Sequence, residues 1–152
     1  MKRKYLLLVL SLILALAMFA SCAITLDGYS RDVEHARKAE DVYKSYDYIF
    51  SAEHDNGVVD FLIDGESLSI VKIIRTERNG KELYKVKCAS TFQLDGLVGG
   101  AGASEVSYWE KTWDSIIEVE FAVIRNDGTA RENSFSFKYN GNDYLLLYRM
   151  GK

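Results

Sequence analysis

Proline is absent from all 152 residues, cysteine and histidine occur only twice each, and no charge interrupts the chain between Tyr5 and Leu26. Each shortage excludes something. Without proline the usual interrupter of a strand is missing, so a β-rich chain meets no internal objection. With His35 and His54 as the only histidines, and no H-x-x-x-H or C-x-x-C spacing, the common zinc ligand patterns are ruled out. No G-x-S-x-G nucleophile elbow occurs. The glycine-rich stretch "DGLVGGAGASEVSYWEKTW", residues 95–113, lacks both the Lys-Ser/Thr ending of a phosphate loop and the G-x-G-x-x-G dinucleotide fingerprint. It reads as a connection between two halves of a sheet. Glu53, His54 and Asp55 are three neighbours at a strand end whose side chains point in different directions, so they read as a solvated turn rather than a cation site. No cofactor and no metal are expected.

The uncharged N-terminal run is the most informative feature present. Lys2, Arg3 and Lys4 form a compact basic head, and the sixteen residues from Tyr5 to Ala20 are uncharged and leucine-rich. That is the layout of a secretory signal. At about 1.5 Å per helical residue these sixteen positions reach about 24 Å, short of a hydrocarbon core of about 30 Å. Counting on to Leu26 gives twenty-two uncharged residues, enough to span, so composition alone leaves a cleaved signal and a retained anchor both open.

Phe19-Ala20-Ser21-Cys22 resembles the lipobox of bacterial lipoproteins, in which two small residues precede a cysteine. Phe19 stands where leucine is usual. The resemblance covers the signal region only. It implies that the Cys22 thiol receives a diacylglyceryl group, that residues 1–21 are removed, and that the domain is held at the cell membrane on its extracytoplasmic face. Two acyl chains hold stably where one holds marginally. In either reading the basic head stays cytoplasmic and the domain faces outward.

Removing residues 1–21 leaves 131 residues and takes Lys2, Arg3 and Lys4 with it, so the formal net charge moves from −3 to −6. An acidic surface argues against nucleic acid as a partner and against electrostatic attachment to anionic lipid head groups. With Cys22 lipidated, Cys88 has no intramolecular partner, and the domain must fold without a disulfide. Alternation in "ELYKVKCASTF" puts Cys88 on the apolar face with Tyr84 and Val86, the place of a structural thiol.

The expected organisation is a tether over residues 22–29 and one domain over residues 30–152, a length that supports a sizeable core. Ser30 can cap a helix running to about Ser45, with Asp32 and Glu34 in its first turn and Val33, Ala36, Ala39 and Tyr43 as its stripe. From Tyr46 on, the period shifts to two. Asp55-Asn56-Gly57, Arg78-Asn79-Gly80, Asn126-Asp127-Gly128 and Asn140-Gly141 sit between β-rich runs and supply the positive φ of hairpin turns. Val59, Phe61 and Ile63 alternate with Asp60 and Asp64, and Val119, Phe121 and Val123 with Glu118 and Glu120, which predicts strands with one wet face. "YLLLYRM" is apolar on both faces and reads as a central strand. The predicted fold is therefore α+β, with one N-terminal helix packed on a curled antiparallel meander of about seven or eight strands. The segment over residues 46–70, with "AEHDNGVVDFLID", also loosely resembles small secreted proteins and lipoproteins of Gram-positive bacteria. Its hairpin motif carries no catalytic residue.

Two functional expectations follow. The first is a non-enzymatic surface lipoprotein that binds a protein or small ligand, with Tyr108, Trp109 and Trp113 as contact residues if they form an exposed aromatic patch. If both tryptophans are buried as a core plug, that site fails. The alternative is a cell-envelope hydrolase using Glu118 and Glu120, which share a strand face as paired glycosidase carboxylates do.

Overall fold

The computed structural model describes residues 28–99, 109–112 and 117–151. Cys22, Tyr108 and Trp113 lie outside the described residues, as do the proposed signal and all of the tether before Gly28. Among the described residues there are eight strands: β1 Tyr48–His54, β2 Gly57–Asp64, β3 Ser67–Arg78, β4 Lys81–Gln93, β5 Glu110–Lys111, β6 Glu118–Arg125, β7 Ser134–Tyr139 and β8 Asn142–Gly151. Two short helices accompany them, α1 Val33–Lys38 and α2 Leu94–Gly99, with a single 3₁₀ turn at Asp41–Tyr43.

The strands form two antiparallel sheets, ordered β1-β2-β3-β4 and β5-β6-β8-β7. Phe61, Ile63, Leu68 and Ile70 of the first sheet face Val119, Phe121, Phe137 and Leu146 of the second in one shared core. This is a β-sandwich. The expected α+β architecture, a helix packed on a single meander, is therefore corrected: the second apolar layer is another sheet, and the helical part is reduced to short pieces on an outer face. The physical reason is in the strands. Alternating inward residues on β2, β3, β6 and β8 offer two apolar sheet faces, and each is long enough to cover the other without a helix.

At the open side of the sandwich, where edge strands β1 and β7 lie opposite one another, aromatic rings close the gap. Phe50 stacks on Phe135 with centroids 4.5 Å apart, and Phe135 on Tyr148 at 5.2 Å. Parallel stacks of this kind add to simple area burial.

The turns obey local chemistry. Asn79 and Gly80 take φ of 53° and 71°, and Asn140 and Gly141 take 47° and 75°, so these two hairpins use the primed geometry that matches strand twist, whereas the β1–β2 turn at Asp55-Asn56 is made without a positive φ at either residue. Strand β8 lies between β6 and β7, in keeping with its two-sided apolar pattern.

The predicted helix is the element that changes most. Ser30 does not cap it; Ser30 forms an antiparallel bridge with Tyr84. Asp32 is the cap, its carboxylate accepting the His35 backbone N–H at 2.8 Å. The helix then stops after six residues, and Glu40 is extended at φ −113°, ψ 135°. A reason for the break is geometric. In one continuous helix Arg37 and Tyr43 would point about 120° apart at 3.6 residues per turn, yet both reach the same carboxylate on β2, Asp60.

Candidate functional site

Strand β2 is buried on both faces except at Asp64. Its inward residues join the inter-sheet core, and its outward residues Val58, Asp60 and Leu62 are buried too. The expected wet face of β2 is thus overturned. Part of its cover is the segment from Arg31 to Asp47, here called the strap, which carries α1 and the 3₁₀ turn. Ala36 of the strap packs with Val58 and Ile73, joined by Val33, Tyr43 and Tyr84.

Asp60 has no exposed surface and accepts hydrogen bonds from three side chains. Arg37 Nε donates to Oδ2 at 2.8 Å and Nη2 to Oδ1 at 2.7 Å. Tyr43 Oη–H donates to Oδ2 at 2.6 Å, and the Ser51 hydroxyl to Oδ1 at 2.7 Å. Arg37 also donates to Glu34 at 2.5 Å and to Ser51 Oγ at 2.9 Å. Two-point guanidinium–carboxylate contact is the strong form of such pairing. Hydrogen bonding to Asp60 raises the Arg37 pKa further above its ordinary value. Burial, followed by the bond to Asp60, pushes the Tyr43 hydroxyl well above the usual tyrosine range.

Three clefts border the strap. The first, about 480 Å³, is lined by α1 residues Arg37 and Lys38, by Glu40, Tyr43 and Tyr46, and by Ile49 of β1. Its volume is that of a small-molecule site. The second, about 370 Å³, lies between Asp32, Val33, His35 and Tyr84. The third, about 110 Å³, lies between Val33, Gly57 and Arg75. In the first cleft Tyr43 spends its hydroxyl on Asp60 and Arg37 its guanidinium on Asp60, Glu34 and Ser51, so they shape the wall. Tyr46 stands at the rim, 41% exposed.

Beside the second cleft, His35 and Asp32 form a close pair. His35 Nδ1 lies 2.8 and 2.9 Å from the Asp32 oxygens, and Nε2 lies 3.1 Å from Arg31 Nη2. A neutral ring with its proton on Nδ1 satisfies both neighbours, donating to the carboxylate and accepting from the guanidinium. The backbone hydrogen bond from His35, followed by the bond from its ring, lowers the Asp32 pKa.

Of the sequence-predicted contact residues, Trp109 is described. It is half-buried on the outer face of the second sheet, packed against Ile124, Leu145 and Leu147. The Arg149 guanidinium lies 3.9 Å above its ring. Glu118 and Glu120 lie on the outer face of β6, flanking Lys111. The ammonium pairs with Glu118 and lies 3.9 Å from Glu120 Oε1. These carboxylates are on the opposite side of the sandwich from the strap. Among the described residues no group of three or more His, Cys, Asp or Glu is placed to hold a metal ion. His54 joins strand ends instead: its Nδ1 accepts the Asn56 backbone N–H at 3.0 Å, and its Nε2 lies 3.2 Å from the Gly151 carbonyl. The Cys88 side chain lies outside the described residues.

Strand alternation by itself does not reveal the Asp60 cluster. A signal for it was present, because Val58 and Leu62 share the face of Asp60, and a face that reads Val-Asp-Leu is not a wet one. Scans against family models, curated proteins and solved structures each returned no match.

Proposed function

We propose that this chain is a lipid-anchored, extracytoplasmic module that binds a ligand or protein and does not catalyse a reaction. The observation that carries this reading is the place of Cys22. It ends a signal-type run, follows two small residues, and precedes by eight positions the first backbone pairing with the sheet, at Ser30. Among the described residues no helix is long and apolar enough to cross a membrane. An acyl anchor on Cys22 supplies the membrane attachment in this reading.

The binding half rests on the strap. A cleft of about 480 Å³ with a tyrosine at its rim is a better contact surface than Trp109, whose ring is occupied by Arg149. The reactive groups beside it are committed: a carboxylate that accepts four hydrogen bonds and a phenol held protonated serve as scaffold, not as acid and base. An envelope hydrolase working through Glu118 and Glu120 is the competing proposal, and no observation favours it.

The test places a photo-reactive aromatic residue at Tyr46, or separately at Trp109, and irradiates intact cells expressing the full chain. A saturable adduct from position 46 that is weak or missing at 109 supports the reading. Adduct from 109 alone moves the site to the outer face of the second sheet, and no adduct from either position rejects binding at both surfaces.

A further inference from the structure

The shared core between the sheets contains no residue of the strap; its buried members run from Ala52 to Leu146. The strap has a small apolar cluster of its own, in which Ala36 is the one strap residue fully buried. Little apolar area therefore fastens it, and its side-chain bonds to the sheet converge on Asp60 and Ser51 of two neighbouring strands. Its two ends are pinned by backbone. Ser30 and Tyr84 exchange hydrogen bonds of 2.7 and 2.8 Å, while Asp47 N donates to the Ile63 carbonyl at 2.7 Å and Asp47 Oδ2 accepts from Gly65 N at 2.9 Å.

We propose that residues 30–46 are a latch, which undocks from the outer face of the first sheet, β1 to β4, as one unit, hinged at Asp47, while the two-sheet core stays folded. Undocking opens the Ser30–Tyr84 bridge, the Tyr29 contacts with Arg78 and Lys85, and the Asp60 cluster, and it lets water reach the carboxylate. Segments with few buried apolar contacts open locally at a free energy below that of global unfolding. It also dismantles the 480 Å³ cleft, so occupancy of that cleft holds the latch shut.

The latch sits between tether and sandwich, so its state sets reach. From Cys22 to Ser30 an extended chain spans at most about 29 Å, and from Cys22 to Asp47 about 90 Å. That consequence for reach rests on the lipid-anchored reading; the undocking itself does not.

Hydrogen exchange of the full chain, followed by mass spectrometry, tests the latch. Peptides covering residues 30–44 are expected to exchange together and at least about tenfold faster than peptides of β2 and β8. Asp60→Asn removes the charge partner of Arg37 and is expected to speed strap exchange about tenfold or more, with β6 and β8 changed less than about twofold. The double variant Arg37→Met with Asp60→Leu replaces the ion pair by apolar contact and is expected to return strap exchange to near the wild-type rate. Strap and sandwich exchanging in one step would overturn the latch. So would an Asp60→Asn chain that fails to fold, because the sandwich would then depend on the strap. Acyl labelling of Cys22 is a separate readout, and failure of the anchor leaves the exchange result standing.

Discussion

Arg37 and Asp60 lie 23 residues apart and meet in a two-point ion pair of 2.7 and 2.8 Å on a carboxylate that has no exposed surface. The pair joins a short helix to the centre of a sheet. A buried pair of this kind is weak evidence for stability, since apolar residues of equal volume often do as well, but removing one partner is costly. Its value here is positional. It selects one docking of the strap, because the Arg37 and Tyr43 donors reach the Asp60 carboxylate only when helix and 3₁₀ turn are both in place.

Arg37→Lys keeps the positive charge and removes the fork. An ammonium cannot satisfy both carboxylate oxygens and Ser51 with fixed geometry, so the strap should lose roughly 1–2 kcal/mol of docking free energy. The check is exchange of the Ala36 and Tyr43 amides about five- to thirtyfold faster, with β8 amides unchanged.

Alkaline pH should weaken the fold through Tyr43. Its hydroxyl is held above the ordinary tyrosine range by burial and by donation to Asp60, so the unfolded chain releases this proton first as pH rises. The stabilisation is fully present below about pH 10 and is lost above it. Denaturation midpoints measured from pH 9 to 12 should fall for the wild type and fall less steeply for Tyr43→Phe. Equal slopes would mean that Tyr43 does not contribute.

The two faces of the second sheet should differ in mutational cost. Phe121 is fully buried between the sheets and meets Phe92 edge-on at 4.7 Å, so Phe121→Ala should cost about 3–5 kcal/mol. Trp109 is half-buried on the outer face, and Trp109→Ala should cost about 1–2 kcal/mol from lost area and the Arg149 stack. Urea unfolding followed by circular dichroism measures both.

Two glycines with positive φ should respond unequally to alanine. A Cβ on Gly57 would lie 1.9 Å from the Ile73 carbonyl oxygen, a backbone atom held in the β2–β3 ladder. A Cβ on Gly80 meets nothing within 4 Å. Gly80→Ala should therefore cost about 1 kcal/mol of left-handed backbone strain, while Gly57→Ala should cost several times more or prevent folding. Comparable thermal midpoints for the two variants would contradict the register given for β2 and β3.

Much of the strand pattern was legible because period two is a strong signal wherever one face is buried, as along Val119, Phe121 and Val123. The hairpin turns at Asn79-Gly80 and Asn140-Gly141 were legible because few residues tolerate the backbone they need. What escaped the sequence is what tertiary contact decides. Nothing local separates one curled sheet from two facing sheets, since both need the same inward residues. The helix was overextended because Val33, Ala36, Ala39 and Tyr43 keep helical spacing on paper, whereas Asp60 requires Arg37 and Tyr43 on one side. Asp60 looks solvated because polar residues usually are, yet its apolar neighbours on the same face, Val58 and Leu62, mark that face as buried. Lys72 is a second buried charge, one that no local pattern marks. It is buried at 1% exposure on the inner face of β3 and donates to Thr112 Oγ1 at 2.7 Å, a contact between the two sheets that neither residue announces.

The anchor on Cys22 is the claim on which location, reach and biological role all depend. It is tested most directly by the intact mass of the protein extracted from membranes, compared with Cys22→Ala. The predicted result is a chain that begins at Cys22 and carries a diacylglyceryl group, with no lipid on the variant. A membrane-bound wild type that retains Met1 and carries no lipid would contradict the account.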